Sequence, residues 1–274
     1  MSVSETWFGE ALRWYLKRGR HPFKNYLVGH YWPSIASRRL WVRYDERSVI
    51  GLRLDDYVQQ RIFFDGYYER PLIAWLRESL RPTDVFWDVG AHIGSVTLVA
   101  ASRCRQVVSF EPDPRSLSTL NENLRKNRLT NVEVIPSALG ASVGVATLYQ
   151  SASANTGMTS LLANGDRPTT GVRVNVTRAD DLISRRPELA PTIMKIDVEG
   201  GEHLVLGGAT ALLRMGHLRA IVFEDRRDAD NRPTNAEAVF QLEQARYRIE
   251  PFALSEKGAD DDMFNFLATR STAA

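Results

Sequence analysis

Two acids bracket a glycine turn, and their chemistry sets the first expectation. Asp88 lies inside an apolar run (Val85, Phe86, Trp87, Val89), and Gly90 and Gly94 follow at a spacing of four. Ser95–Ala101 then reads as a helix. Strand, glycine turn and helix make a cradle that aims backbone N–H groups and a helix N-terminus at a ligand. The spacing is neither the dinucleotide G-x-G-x-x-G nor a P-loop, since no Gly-Lys-Ser/Thr follows. Asp88 would repel a pyrophosphate and suits a ligand with a cationic amino group. Glu111 follows the next apolar run, Val107–Phe110, and lies 21 residues after Gly90. An acid near that separation is placed to bind a ribose diol. S-adenosylmethionine combines such an amino group with a ribose and a sulfonium charge.

A second concentration of charge runs from Lys195 through Asp197 and Glu199 to Glu202. Alternate residues of a strand share a face, so Lys195 and Asp197 point the same way, and Lys195 is also an ion-pair partner for Asp197. Glu199 and Glu202 fall at the start of the next helix, where the dipole favours acids, which accounts for Glu202 as well as a functional role does. Glu224 and Asp225 close a further apolar run (AIVFED). With Asp197 they could hold Mg²⁺ that keeps open water positions and lowers the pKa of a bound hydroxyl. His203 and His217 read as packing or solvent-facing residues.

The elements that must position these groups follow from periodicity. Strand 85–89, helix 94–103, strand 107–110, helix 114–127 and strand 132–136 alternate, which implies parallel pairing in a doubly wound sheet. Pro114 falls in the first turn of its helix, where its missing N–H costs nothing. Segments 141–150 and 172–177 read as two extra strands around a long polar loop, 151–170. Alternation resumes with strand 192–198, helix 201–214, strand 220–224, helix 234–245, strand 247–252 and a last strand 263–268. The tail after Arg270 is expected to fray. Upstream, 57–80 reads as mostly helical and 41–56 as two short strands around a turn. Trp7, Phe8, Ala11, Leu12, Trp14 and Tyr15 recur at helical spacing, with Lys17, Arg18 and Arg20 behind them. That pattern suits an accessory helix packed on the domain first, and a lid, dimer arm or membrane-surface helix second.

Composition narrows the classes. The 274 residues are 43% hydrophobic and 25% charged, ordinary for a soluble globular chain. A formal net charge of +2 gives no global pull towards nucleic acid. The single cysteine, Cys104, excludes an internal disulfide and a cysteine-based zinc site. No apolar run reaches the length of a membrane helix and Met1–Arg20 lacks a signal-peptide core, so the cytoplasm is the default location.

Taken together, WDVGAHIGSVTL, VVSFEPDPRSLSTLNENLRKN, NVEVIPSALG, NTGMTSLL and MKIDVEGGEHLVLGGATALL resemble the FkbM-type methyltransferases, within the class I S-adenosylmethionine-dependent superfamily. The resemblance covers roughly residues 65–268, and FDGYYE (Phe64–Glu69) is similar to the segment that precedes the domain in many members. His92 stands where the general class I pattern has its middle glycine, a position the family commonly fills with a polar residue. The resemblance implies a Rossmann-like seven-stranded, mostly parallel sheet with its last strand antiparallel. Residues 1–60 would form an N-terminal α/β appendage (lid, dimer arm or acceptor recognition) and 61–270 the methyltransferase domain. It implies that Gly90, Ala91, His92 and Gly94 hold the methionine end and that Asp88 organises the loop or the amino group. Glu111, with Pro112 beside it, would take the ribose. Ser137 and Ala138 would flank the adenine, and Glu69 would close over the amino end. Asp197, Lys195 and Glu199 are then the catalytic group, with Asp197 as general base or acceptor orienter, and Asn155–Ser160 would shape the acceptor pocket or form a lid.

The expectation is therefore a methyltransferase acting on a hydroxyl of a sugar, glycan or secondary metabolite, with Mg²⁺ optional and a homodimer possible. Methylation of RNA or protein is the first alternative. No Asn/Asp-Pro-Pro-Tyr/Phe motif follows the fourth strand and no basic-aromatic stripe marks the domain, so no nucleic-acid partner is expected. A non-catalytic docking module is the second alternative. A dehydrogenase fits least, because the loop spacing is wrong for a pyrophosphate.

Overall fold

In the computed structural model, residues 3–18, 24–151, 159–161, 169–252 and 263–270 are described. The helices are α1 (Val3–Arg18), α2 (Lys24–Ala36), α3 (Tyr57–Asp65), α4 (Arg70–Ser79), α5 (Ser95–Ala101), α6 (Pro114–Asn127), α7 (Ala179–Arg185), α8 (Glu202–Gly207), α9 (Thr210–Arg214) and α10 (Ala236–Gln244). The strands are β1 (Leu40–Tyr44), β2 (Ser48–Leu52), β3 (Val85–Val89), β4 (Gln106–Phe110), β5 (Val132–Ile135), β6 (Ala138–Leu139), β7 (Gly144–Ser151), β8 (Thr159–Ser160), β9 (Thr169–Thr177), β10 (Ile193–Ile196), β11 (Ala220–Arg226), β12 (Tyr247–Pro251) and β13 (Met263–Arg270).

β3 is buried on both faces, as its unbroken apolar run requires. It lies between β10 and β4 in a seven-stranded sheet ordered β12-β13-β11-β10-β3-β4-β5. The pairs β11–β10, β10–β3, β3–β4 and β4–β5 are parallel, while β13 runs antiparallel to both neighbours. From β3 the chain winds outward through β4 and β5, then returns to β10 on the other side. The crevice at the carboxyl ends of β3 and β10 is therefore the switch point where such sheets bind ligands. Phe86 packs with Leu98 and Leu120 on one face, and Trp87 with Ile196, Leu206 and Phe223 on the other. A four-stranded sheet, β6-β9-β7-β8, contains the two extra strands expected around the long loop.

Departures from the expected elements have local causes. The helix expected over 57–80 is two, because Gly66 (φ +96°) caps α3. The helix expected over 201–214 is also two. A Cβ on Gly208 would lie 2.1 Å from the Gly140 carbonyl oxygen, so a backbone passes where an unbroken helix would carry a side chain. Helix α2, with Pro33 inside it, was not foreseen. The β1–β2 hairpin forms as expected and buries Leu40, Val42, Ile50 and Leu52 in the cluster that contains Phe86. Two asparagines of α6 dock it. Asn127 accepts from Val49 N–H at 2.8 Å and donates to Val49 O at 2.7 Å, and Asn123 accepts from Gly51 N–H at 2.8 Å. Of the loop expected to shape the acceptor pocket, Asn155–Met158 lies outside the described residues, as does the tail after Arg270.

Candidate active site

Asp88 is fully buried beneath the glycine turn. Its Oδ2 accepts from Thr97 Oγ1 at 2.6 Å, and the Thr97 and Ser109 hydroxyls lie 2.8 Å apart. Burial pushes its carboxyl above the ordinary range, although Lys195 and Thr97 favour the charged form. Asp88 thus sits under the turn between Thr97 and Lys195.

The turn itself is held by the end of β4. Gly90 and Ala91 N–H both donate to Phe110 O at 3.0 Å, and His92 N–H donates to Glu111 Oε2 at 2.6 Å. These three donors, expected to face a ligand, are satisfied within the protein. Gly90 (φ +81°) could not be another residue here, since its Cβ would lie 1.9 Å from Asp197 O. His92, itself at φ +51°, is half-buried, and burial lowers its pKa against the opposing field of Asp56.

Glu111 is buried, and its Oε1 accepts from Asp113 N–H at 2.8 Å across the half-buried Pro112. Each oxygen thus carries one backbone donor and keeps acceptor capacity for a hydroxyl. Burial pushes its carboxyl up to about 7. Beyond β5, Ser137 and Ala138 are buried, and among the described residues Ser137 Oγ has no hydrogen-bond partner. Buried hydroxyls are ordinarily paired, so this orphan fits a ligand along the strand tips.

On the other side of the turn, Lys195 joins the strands. Its Nζ lies 3.2 Å from Asp197 Oδ2 and 3.6 Å from Asp88 Oδ1, and donates to Gly90 O at 3.1 Å. Burial alone would lower its pKa, but Asp197, Asp88 and Glu69 outweigh it and hold the ammonium well above its ordinary value. Asp197 N–H donates to Val89 O at 3.0 Å, which fixes the end of β10 against β3. Glu69 accepts at Oε1 from Asn265 Nδ2 at 2.8 Å. Asn265 is the register partner of Glu224, so both project from one face of the sheet.

Carboxylate oxygens of Asp197, Glu199 and Glu224 come within 4.8 Å of one another. Asp225, expected in that group, is not part of it. Neighbouring strand residues face opposite ways, and its carboxylate accepts from Asn235 N–H at 2.8 Å and Arg226 N–H at 2.7 Å. Glu199 sits at φ +57° with its carbonyl accepting from Ser160 Oγ at 2.8 Å. Glu202 is a brace. Its buried carboxylate accepts from Val198 N–H at 3.1 Å and Gly200 N–H at 3.3 Å, and burial pushes it up to about 7. His203 lies against Asn235, and His217 is exposed.

Sequence reasoning missed Asn265, Asp56 and Asn123, the last of which also donates to Ile93 O at 2.8 Å inside the turn. Asn123 stands in the NENLRKN helix, where its burial between two distant segments leaves no periodic mark.

The strand order, with an acid on β3 beneath the turn and another just beyond β4, defines the Rossmann-like methyltransferase fold. The chain belongs to the FkbM methyltransferases: residues 88–249 match the family described as "Methyltransferase FkbM domain". It is similar to the hexuronic acid methyltransferase AglP of Haloferax volcanii, 30% identical over 53% of this chain and 58% of that protein. It is also similar to the 31-O-demethyl-FK506 methyltransferase FkbM of Streptomyces tacrolimicus, 30% identical over 56% of this chain and 67% of that protein. A crystal structure of methyltransferase FkbM from Methylobacillus flagellatus superposes with a TM-score of 0.48, at 22% identity, over 77% of this chain and 52% of that one. The match thus spans little more than half the length of the first of these relatives.

Proposed function

We propose that this protein is an S-adenosylmethionine-dependent O-methyltransferase whose acceptor is a hydroxyl on a sugar, glycan or secondary metabolite. The observation that carries the reading is the convergence of the Gly90–Gly94 turn, Glu111 and the Lys195–Asp197 pair at the carboxyl ends of β3, β4 and β10. The names of the two curated relatives, one a hexuronic acid methyltransferase and one a 31-O-demethyl-FK506 methyltransferase, support an oxygen acceptor.

When bound, S-adenosylmethionine supplies a methyl group on a sulfonium that is already a good leaving group. Glu111 would accept from the ribose hydroxyls, and Ser137 Oγ would gain a partner beside the adenine. Gly90, Ala91, His92 and Gly94 would shape the methionine end, with Pro112 and Ala138 as flanking walls. Glu69, braced by Asn265, would face the amino group. Asp197 would orient the acceptor hydroxyl and take its proton, a role that contributes about 10²–10⁴-fold in rate. Lys195 would hold Asp197 in place relative to the turn through their 3.2 Å ion pair. The all-oxygen trio Asp197, Glu199 and Glu224 has the donor chemistry of a hard divalent cation, which would acidify the acceptor in place of a strong base. Residues 1–60 would contribute acceptor recognition above the 61–270 domain.

Calorimetric titration of S-adenosylmethionine into wild type and Glu111→Gln, followed by turnover on uronic acid glycosides with and without chelator, tests this. Binding weakened in the variant and release of S-adenosylhomocysteine by the wild type are expected. Chelator that leaves turnover intact would remove the metal from the scheme. Binding without turnover on any hydroxylated acceptor would favour the docking-module reading.

A further inference from the structure

We infer that the outer face of α1 docks the protein on an anionic membrane surface. The inner face of the helix is fixed. Gly9 packs so closely on β1 that a Cβ would lie 2.2 Å from Trp41 O, Glu10 Oε1 accepts from Arg43 N–H at 2.8 Å, and Leu12 and Leu16 pack on the core. Among the described residues the outer face stands open. Trp7 is 69% exposed, Trp14 62% and Phe8 50%. Trp7, Ala11, Trp14 and Arg18 recur at spacings of four, three and four, so they form one stripe along α1. The two indoles stand about 10 Å apart along the helix axis.

Charge decides the occupant. Residues 11–44 contain eight Lys/Arg and no Asp/Glu, while the whole chain has a net charge of only +2. Of these, Arg18 is exposed at the end of the aromatic stripe, and Lys17 beside it is exposed while its ammonium donates to Phe64 O. Indoles favour the headgroup region of a bilayer, and cations beside an apolar helix face meet anionic headgroups. A second copy of the chain fits less well, because residues 11–44 carry no acid to offset their own charge across a two-fold interface, and α1 adds only Glu5 and Glu10, the latter turned to Arg43 N–H. A polynucleotide fits less well too. The remainder of the chain is net acidic, so the cations beside α1 do not extend into the long basic track that a nucleic-acid strand follows. The helix docks on the surface and does not span it. Among the described residues no helix is long and apolar enough to cross a membrane.

The test uses the full chain with vesicles of phosphatidylcholine alone and of phosphatidylcholine with one-third phosphatidylglycerol. Co-flotation with the anionic vesicles, a blue-shifted tryptophan emission and loss of binding at high salt are expected. The Trp7→Ala/Trp14→Ala variant should bind about tenfold more weakly, and so should Arg18→Glu, from lost apolar insertion and lost charge respectively. Unchanged circular dichroism and thermal midpoint would show both variants folded, as exposed positions allow. Equal binding to neutral vesicles, or variants that bind like wild type, would overturn the proposal. A concentration-dependent dimer abolished by the tryptophan variant would assign the face to a second copy instead. Salt-matched binding to single-stranded RNA without vesicle binding would assign it to nucleic acid.

Discussion

At Lys195 three segments depend on one ammonium group. It faces Asp88 and Asp197 and donates to Gly90 O, so the turn, β3 and β10 are electrostatically one unit. Removing one partner of a buried charge group leaves the rest uncompensated, at about 3–5 kcal/mol. Lys195→Met should therefore lose stability on that order in urea unfolding, and a loss under about 1 kcal/mol would refute this assignment. Asp197 is different, since it is only half-buried. Asp197→Asn keeps the shape and removes the base. Cofactor binding should persist while kcat falls about 10²–10⁴-fold. Cofactor affinity that fell in step with kcat would instead make Asp197 a binding residue.

The loop between β10 and α8 carries a strained residue, Glu199 at φ +57°, and is held by Glu202. Glu202 is raised by burial from an ordinary 4.5 to about 7. The folded state therefore holds a proton that the unfolded state has released between those values. This contribution to stability is complete below about 4.5, declines as pH rises, and is gone above about 7. The shift corresponds to roughly 3 kcal/mol, and Glu111 adds a slope of the same sign over the same window. Glu202→Gln keeps an acceptor for Val198 and Gly200 N–H without the titration. Unfolding free energy measured at pH 5 and pH 8 should fall less in the variant than in the wild type. Parallel slopes would exclude Glu202 as the source.

Across the whole molecule, the N-terminal region and the sheet share one core. Leu40, Val42, Ile50, Leu52 and Leu54 are buried in the cluster that contains Phe86 and Val107. Asn123 ties Gly51 to Ile93, and Asp56 acts electrostatically on His92. Burying a single Val, Leu or Ile side chain stabilises by about 1.5–3 kcal/mol, so losing five such groups is comparable to the whole net stability of an ordinary domain. A chain lacking residues 1–60 is expected to have no cooperative thermal transition and no cofactor binding. A soluble 61–274 fragment with a sharp melt and intact cofactor affinity would mean that the segment is dispensable to the fold.

How much could be read in advance follows the range of the interaction involved. Val85–Val89 with Gly90 and Gly94, and the alternation from there to β5, are local patterns of hydrophobicity and backbone freedom, so the sequence by itself determined the central sheet and its glycine turn. The spacing of Asp88 and Glu111 around the glycine turn and the strand alternation of Lys195 and Asp197 were equally local, and the family motifs then gave these residues their expected roles. What Asp88 does was not legible. A carboxylate open to a ligand and one sealed under a turn by Thr97 have the same neighbours along the chain. Nor was the carboxylate group legible. Glu224 and Asp225 are adjacent in sequence, but strand alternation turns one towards Asp197 and the other to the N–H of Asn235. Asn265, Asp56 and Asn123 reach the site from residues distant in the chain, and such pairings leave no local period to detect. Only the tertiary structure decided them, because they depend on where the sheet and hairpin bring separate backbones within hydrogen-bond or Coulomb range.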